Sequence, residues 1–189
     1  MQHIAGRVQL GRGEEAMKLI AQTSGLHQEL TESLLERVGD PVLGALLLAK
    51  AATASERGIE LRVSDDTMMT RSSLDSEDLI SLLGNLIDNA LDSAATSATE
   101  RWVSVSVTDQ GDDLVMKVHD SGPGVPAGID GQIFQEGFST KSGPGQRRRG
   151  FGLALVRQIA RRNGGDVTVV NDGGAVFTVR VPTSVMART

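Results

Sequence analysis

Asn85, Asp88, Asn89 and Asp92 stand at offsets of 0, 3, 4 and 7. On a helix turning by about 100° per residue they share one side. Leu79, Leu82, Leu83, Leu86, Ile87, Ala90, Leu91 and Ala94 spread over the opposite, apolar face. Polar helix stripes are mostly solvated surfaces, but such surfaces are usually rich in Lys and Glu. Asn and Asp compete for the backbone with their short side chains and are poor helix formers. Four of them aligned in mid-helix need a reason, and amide and carboxylate oxygens gathered in this way can face a ligand or a hard cation.

Two loops carry further chemistry. Asp120-Ser121-Gly122-Pro123-Gly124 directly follows an alternating stretch and, taken alone, is a turn. Its chemical use would be an Asp120 carboxylate, held at a strand end, accepting a hydrogen bond from an exocyclic amine. Gly122 and Gly124 would let a flat base approach the backbone. The second loop, Gly143-Pro144-Gly145-Gln146-Arg147-Arg148-Arg149-Gly150-Phe151-Gly152, runs into the start of a helix. Free amides and the helix dipole there favour phosphate. Lys141 and the arginine run add positive charge to a chain of net charge -5. The loop is not a Walker A motif, and no dinucleotide fingerprint follows a strand.

The elements that must position these residues follow from periodicity. Asp75, with Asp78 three residues on, caps the organising helix. Strands are predicted over 59–63, 102–108, 114–119, 167–171 and 175–181, with hairpin turns at 109–112 and 172–174. A second helix is predicted over 151–163, ended by Gly164-Gly165. Five mostly antiparallel strands with two long helices on one face make an α+β two-layer sandwich. Ahead of it, residues 3–10 and 14–38 read as two helices joined at Gly11-Arg12-Gly13. Asp40-Pro41 then restarts a helix that runs to about Arg57. A lone helical hairpin cannot bury both faces, so it must pair with a second copy or dock on the following domain. The expected units are therefore a hairpin and connecting helix over 1–57, a domain over 58–183 and a tail over 184–189.

Composition bounds the function classes. With 39% apolar and 23% charged residues the chain is an ordinary globular one. Its acidic balance argues against nucleic acid or an anionic membrane as main partner. The absence of cysteine removes disulfides, thiolate nucleophiles and cysteine metal sites, and suits a reducing compartment. The longest apolar run, 42–49, ends at Lys50 and is too short to cross a bilayer. His3 and His27 have no metal-ligand spacing with another histidine.

Taken together and in order, the motifs resemble those of sensor histidine kinases. Asn85-Leu86-Ile87-Asp88-Asn89-Ala90 is similar to their N box and Asp120-Ser121-Gly122-Pro123-Gly124 to their G1 box. Ile133-Phe134 to Phe138-Ser139-Thr140-Lys141 resembles the F box, and Gly150-Phe151-Gly152-Leu153-Ala154-Leu155 the G2 box. His3-Ile4-Ala5-Gly6 through Leu10-Gly11 and Glu15-Ala16, with the stretch from Val42 to Lys50, resembles the citrate and C4-dicarboxylate branch.

The resemblance implies the ATP-binding fold shared by histidine kinases, gyrase and Hsp90, with ATP and Mg²⁺ as its ligands. Asn89 would ligate Mg²⁺ through its side-chain oxygen, Asn85 would lie along the phosphate path, and Asp88 or Asp92 would contribute through water. Asp120 would read the adenine amino group above Gly122 and Gly124. Phe134 and Phe138 would hinge a flexible lid that carries Thr140. Lys141, Arg149 and the backbone amides of Gly150, Gly152 and Leu153 would hold the phosphates. Asn85, Asn89 and Lys141 would serve transfer of the γ-phosphoryl group to a histidine and on to a response-regulator aspartate. The implied parent is a membrane-anchored homodimer, and the piece given is expected to be soluble and cytoplasmic.

One departure qualifies this. In that branch the phosphoacceptor histidine precedes the position of His3 by about two helical turns. His3 aligns with a later histidine, so the chain is expected to bind ATP without phosphorylating itself. A gyrase- or chaperone-type ATPase is disfavoured because its water-activating glutamate is replaced by Asn85. A non-enzymatic ATP-binding or dimerisation module is the remaining alternative. An anti-sigma-factor serine kinase should lack the amino-terminal hairpin.

Overall fold

The computed structural model describes residues 38–69, 74–138 and 150–183. Helix α1, Pro41–Glu56, starts where Asp40 Oδ1 accepts from the Leu43 amide at 2.8 Å, with proline at its first position. Gly58, at φ +65°, turns the chain into strand β1, Glu60–Val63. Helix α2, Ser76–Ala94, is capped by Asp75, whose Oδ1 accepts from Asp78 N at 2.8 Å. Hairpin β2–β3, Trp102–Gln110 and Asp113–Asp120, follows, then helix α3, Gly152–Arg162, and hairpin β4–β5, Asp166–Asn171 and Ala175–Pro182.

These strands form one sheet in the order β1-β2-β3-β5-β4, with β1 parallel to β2 and the other pairs antiparallel. Register places Val105, Val118, Phe177 and Val169 in one row across it, and Val107, Met116, Val179 and Val167 in the next. Both rows point at the helices, α2 lying over β2 and β3 and α3 over β4 and β5. The apolar face of α2 is the centre of the core. Leu79 is 2% exposed, and Leu82, Leu83, Leu86, Ile87, Ala90, Leu91 and Ala94 are fully buried. Each large side chain there contributes on the order of 1.5–3 kcal/mol of burial.

Three details depart from the sequence expectation. The first hairpin turns on Gly111-Asp112 alone, because Gln110 still pairs with Asp113 and Gly111 takes φ +66°. The strands are accordingly longer than the apolar alternation that marked them. A third helix joins the layer: α1 packs on α2 and β1, and its Leu43 and Leu47 are fully buried in the same core. The ends of α2 and α3 are also joined by charge. Asp78, in the first turn of α2, accepts from Arg162 and from Asn163 Nδ2, the latter at 2.8 Å. Burial pushes the Asp78 carboxyl up, but the hydrogen bonds of Arg162 and Asn163 outweigh it and leave its pKa lowered.

The expected hairpin over 3–38 lies outside the described residues except for Val38, which is buried and whose carbonyl accepts from Met69 N at 3.0 Å. The tail over 184–189 also lies outside them. Among the described residues no helix is long and apolar enough to cross a membrane.

Candidate functional site

Asp120 ends β3 with 0% exposure. Its Oδ1 accepts from the Ser93 hydroxyl and from the Gly122 amide, both at 2.8 Å. Its Oδ2 is buried with no hydrogen-bond partner. Burial raises the carboxyl pKa above its ordinary value, against the opposing pull of Ser93 and the Gly122 amide. The Ala175 amide adds a weaker pull but closes no hydrogen bond on Oδ2. A buried acceptor left unmade costs about 1–3 kcal/mol, so this position is maintained against stability. Gly122 is required for it, since a Cβ there would overlap Ser93 Oγ and stand 2.8 Å from Asp120 Oδ1.

Asp120 borders a cavity of about 190 Å³. Asn89 and Ser93 of α2, Gly124 and Val125, and the apolar Ile133 and Phe177 are among the residues that line it. A flat, largely apolar group carrying one donor would satisfy Oδ2 and fill this space.

A second cavity, of about 310 Å³, opens at the start of α3 between Asn85, Glu136, Phe151, Gly152 and Leu155. Phe151 at the N-cap makes no side-chain cap bond, and the first turn carries no acidic residue. The helix start therefore presents amides and positive dipole with no side-chain anion of its own. Asn85 touches it, since a Cβ on Gly152 would stand 2.9 Å from Asn85 Oδ1. The Asn85 amide makes a local bond, Nδ2 donating to Ser81 O at 2.5 Å.

Gly150, at φ +91°, receives the Gly137 amide on its carbonyl at 3.1 Å. This joins the two ends of the intervening segment. Phe134 is a core residue, edge-on to Phe177 with centroids 6.3 Å apart and with the Arg157 guanidinium 5.4 Å from its ring centroid. Phe138 is half-buried against the same core. Thr140, Lys141 and Arg149 lie outside the described residues.

The polar stripe of α2 does not act as one surface. Asn89 and Asp92 border the first cavity and Asn85 the second. Asp88 pairs with Lys50 Nζ at 2.6 Å and Asp92 with Arg57 at 2.8 Å, the first cation from α1 and the second from its C-cap. Lys50 and Arg57 were invisible to helix periodicity because their partners are set by packing. Ser93 was also missed, although it stands four residues after Asn89 and extends the same side. Among the described residues no group of three or more His, Cys, Asp or Glu could hold a metal. Mg²⁺ often keeps waters and substrate phosphates as most of its ligands, so one amide oxygen from Asn89 fits that ion better than a carboxylate cage.

The family model described as histidine kinase-, DNA gyrase B-, and HSP90-like ATPase matches residues 74–185. The chain belongs to this family. Its relation to sensor histidine kinases is borne out, and α2, both cavities and the whole sheet except β1 lie within the match. Sensor protein CitS of Halalkalibacterium halodurans is 38% identical over 184 residues, covering 95% of this chain and 34% of that protein. Sensor protein CitS of Bacillus subtilis is 35% identical, covering 95% and 33%. The chain thus spans about a third of the length of the curated relatives it matches. The solved ATP-binding domain of PrrB from Mycobacterium tuberculosis aligns with a TM-score of 0.56 at 25% identity, covering 74% of this chain and 92% of that one. The protein is an ATP-binding catalytic domain of the histidine-kinase type, and the expected α+β sandwich is its fold.

Proposed function

We propose that this domain is the catalytic part of a two-component sensor histidine kinase that transfers the γ-phosphoryl group of Mg²⁺–ATP to a histidine. The observation that supports it most is the fully buried Asp120 with an unpartnered oxygen at the edge of an apolar cavity. Adenine supplies what that site lacks, a flat ring with a 6-amino donor. Asp120 Oδ2 accepts from the amino group, while Gly122 and Gly124 allow the ring to lie against the backbone.

The triphosphate then runs from the first cavity toward the start of α3. Asn85 lies along this path, and the amides of Gly150, Gly152 and Leu153 meet the phosphates together with Lys141 and Arg149. Asn89, on the rim of the first cavity, would hold Mg²⁺ through its amide oxygen, with Asp88 or Asp92 contributing through water. When bound, Mg²⁺ supplies charge neutralisation across the phosphates. Phe134 and Phe138, both packed on the core, would hinge the lid. Catalysis is chiefly positioning of the γ-phosphorus and neutralisation of charge on its oxygens. The acceptor nitrogen displaces ADP, and the phosphohistidine then donates to an aspartate of a response regulator. The parent works as a homodimer anchored in the membrane.

The test is Mg²⁺-dependent binding of a non-hydrolysable ATP analogue by calorimetry. Binding is strongly weakened in Asn89→Ala and Asp120→Ala. Unchanged affinity in both folded variants would remove the site assignment.

A further inference from the structure

The stretch of the first cavity's lining that follows β3 packs Val125 on the core but has few backbone hydrogen bonds. Residues 122–128 form no helix or strand. A turn stands at 127–128, and among the described residues no backbone–backbone hydrogen bond fixes 122–125. The segment is secured at Ser121, whose amide donates to the Trp102 carbonyl at 3.1 Å and whose hydroxyl accepts from the Trp102 amide at 2.9 Å, and at Gly122, whose amide donates to Asp120 Oδ1. It is next secured at Ile129, whose carbonyl accepts from Gln132 at 2.8 Å. Pro123 and Pro126 have no amide hydrogen to contribute. The cavity-lining stretch 123–126 therefore depends on something outside itself.

That support comes from Asn171, the last residue of β4. Its Oδ1 accepts from the Val125 amide at 2.9 Å, and its Nδ2 donates to the Val125 carbonyl at 2.8 Å. One carboxamide satisfies both backbone groups of a single residue, as the peptides of a neighbouring strand would. A carboxylate has no donor for the carbonyl, and an alkyl group has neither function. Gly124 lets the amide lie close, since a Cβ there would stand 2.7 Å from Asn171 Oδ1. The turn that carries Asn171 is itself braced against β3. His119 Nε2 donates to the Asp172 carbonyl at 2.8 Å, and Gly174 sits so close that a Cβ would overlap the Asp120 carbonyl.

We propose that Asn171 is a positioning residue for the nucleotide base: without lining the cavity, its carboxamide clamps Val125 and sets the distance between the cavity wall and Asp120. This rests on the assignment of that cavity to adenine. Base selectivity depends on the clamp because a wall free to move admits a purine whose six-position does not satisfy Asp120. The cost of ordering the wall then falls on binding.

The experiment compares Asn171→Ala, Asn171→Asp and Asp120→Ala in the 189-residue chain, with ATP-analogue and GTP-analogue titrations and amide hydrogen exchange. Both Asn171 variants lose about 5- to 30-fold in ATP affinity, the range for one or two neutral hydrogen bonds. GTP affinity falls less, so the preference for adenine narrows. The Val125 amide exchanges slowly in the unsubstituted protein and faster in Asn171→Ala, which removes its acceptor, with core amides unchanged. ATP affinity within twofold of the unsubstituted chain overturns the inference. Equal loss for ATP and GTP does so too, because general destabilisation lowers both alike. If the variants fail to fold, a Val125 amide exchanging as fast as an exposed one in the unsubstituted chain still overturns it. Asp120→Ala separates the two levels. If that change leaves ATP affinity intact, the adenine assignment fails and the inference with it; if it weakens ATP while the Asn171 variants do not, the clamp alone is wrong.

Discussion

Asp120→Asn should separate binding from folding. The substitution keeps the side-chain volume and retains an Oδ1 able to accept from Ser93 and Gly122. Those two bonds fall from charge-assisted to neutral strength, roughly half. Against this, the variant no longer buries a charge, while its Nδ2 takes the unpartnered place of Oδ2 and leaves the cost of an unmade polar group unchanged. The two effects oppose each other, and the expected net change in stability is within about 1 kcal/mol, or a few degrees in Tm. Binding has no such compensation. The adenine amino group loses a charged acceptor and meets an amide donor, which costs about 1.5–3 kcal/mol, or roughly 10- to 150-fold in Kd.

The pH dependence carries the same signature. Burial raises the Asp120 pKa. Its favourable contribution to stability is therefore full below the ordinary carboxylate range and is lost as pH rises through the raised value. Accepting from the amine favours the ionised form, so nucleotide affinity falls as pH drops through that same value. The Asn variant lacks both slopes. Calorimetric titration with a non-hydrolysable analogue over a pH series, beside thermal unfolding of the free protein, measures all of this. Affinity within twofold of the parent, or an identical pH slope in the variant, would refute the reasoning. A drop of more than about 10 °C in Tm would mark Asp120 as a structural residue instead.

Asp78→Ala removes the acceptor shared by Arg162 and Asn163 and leaves α2 and α3 untied at that end; chemical unfolding should show a loss of about 2–3 kcal/mol. Because the Asp78 pKa is lowered, its contribution is present above the ordinary carboxylate range and lost as pH falls through the lowered value. Acid unfolding of the parent should accordingly steepen there and that of the variant should not. Gly122→Ala places a methyl group against the Ser93 backbone, 2.8 Å from its carbonyl carbon. The expected outcome is about 1–3 kcal/mol of destabilisation with ATP affinity reduced beyond what the lower stability explains, read by unfolding and titration together. Incubation of the chain with labelled ATP should give no acid-labile phosphohistidine at His3; label there would show that the helix register assigned to His3 is wrong.

What was legible in the sequence is what depends on near neighbours along the chain. The eight apolar positions of α2 are all buried, because the face a helix presents follows from spacing alone. Both β-hairpins were marked by alternation and turn residues, and only the limits of the first turn moved. The ordered motifs were enough to indicate the family, since each is a short segment whose backbone must adopt one shape. The stripe of Asn85, Asp88, Asn89 and Asp92 shows where that stops. Its residues do share a side, yet Lys50 of α1 and Arg57 at its C-cap take Asp88 and Asp92 into ion pairs across 38 and 35 residues of chain.

The remaining partners of the site are separated more widely still. Ser93 reaches Asp120 across 27 residues, Asn171 reaches Val125 across 46, and Arg162 reaches Asp78 across 84. Hydrophobic period is a property of a segment and survives without the rest of the protein. A hydrogen bond about 3 Å long exists only where two elements have been brought together, and that depends on how every layer packs. The residue types and motif order thus determined the class of protein and the groups available for chemistry. Tertiary packing alone decided which oxygen of Asp120 was left open, and which side chains hold the cavity around it.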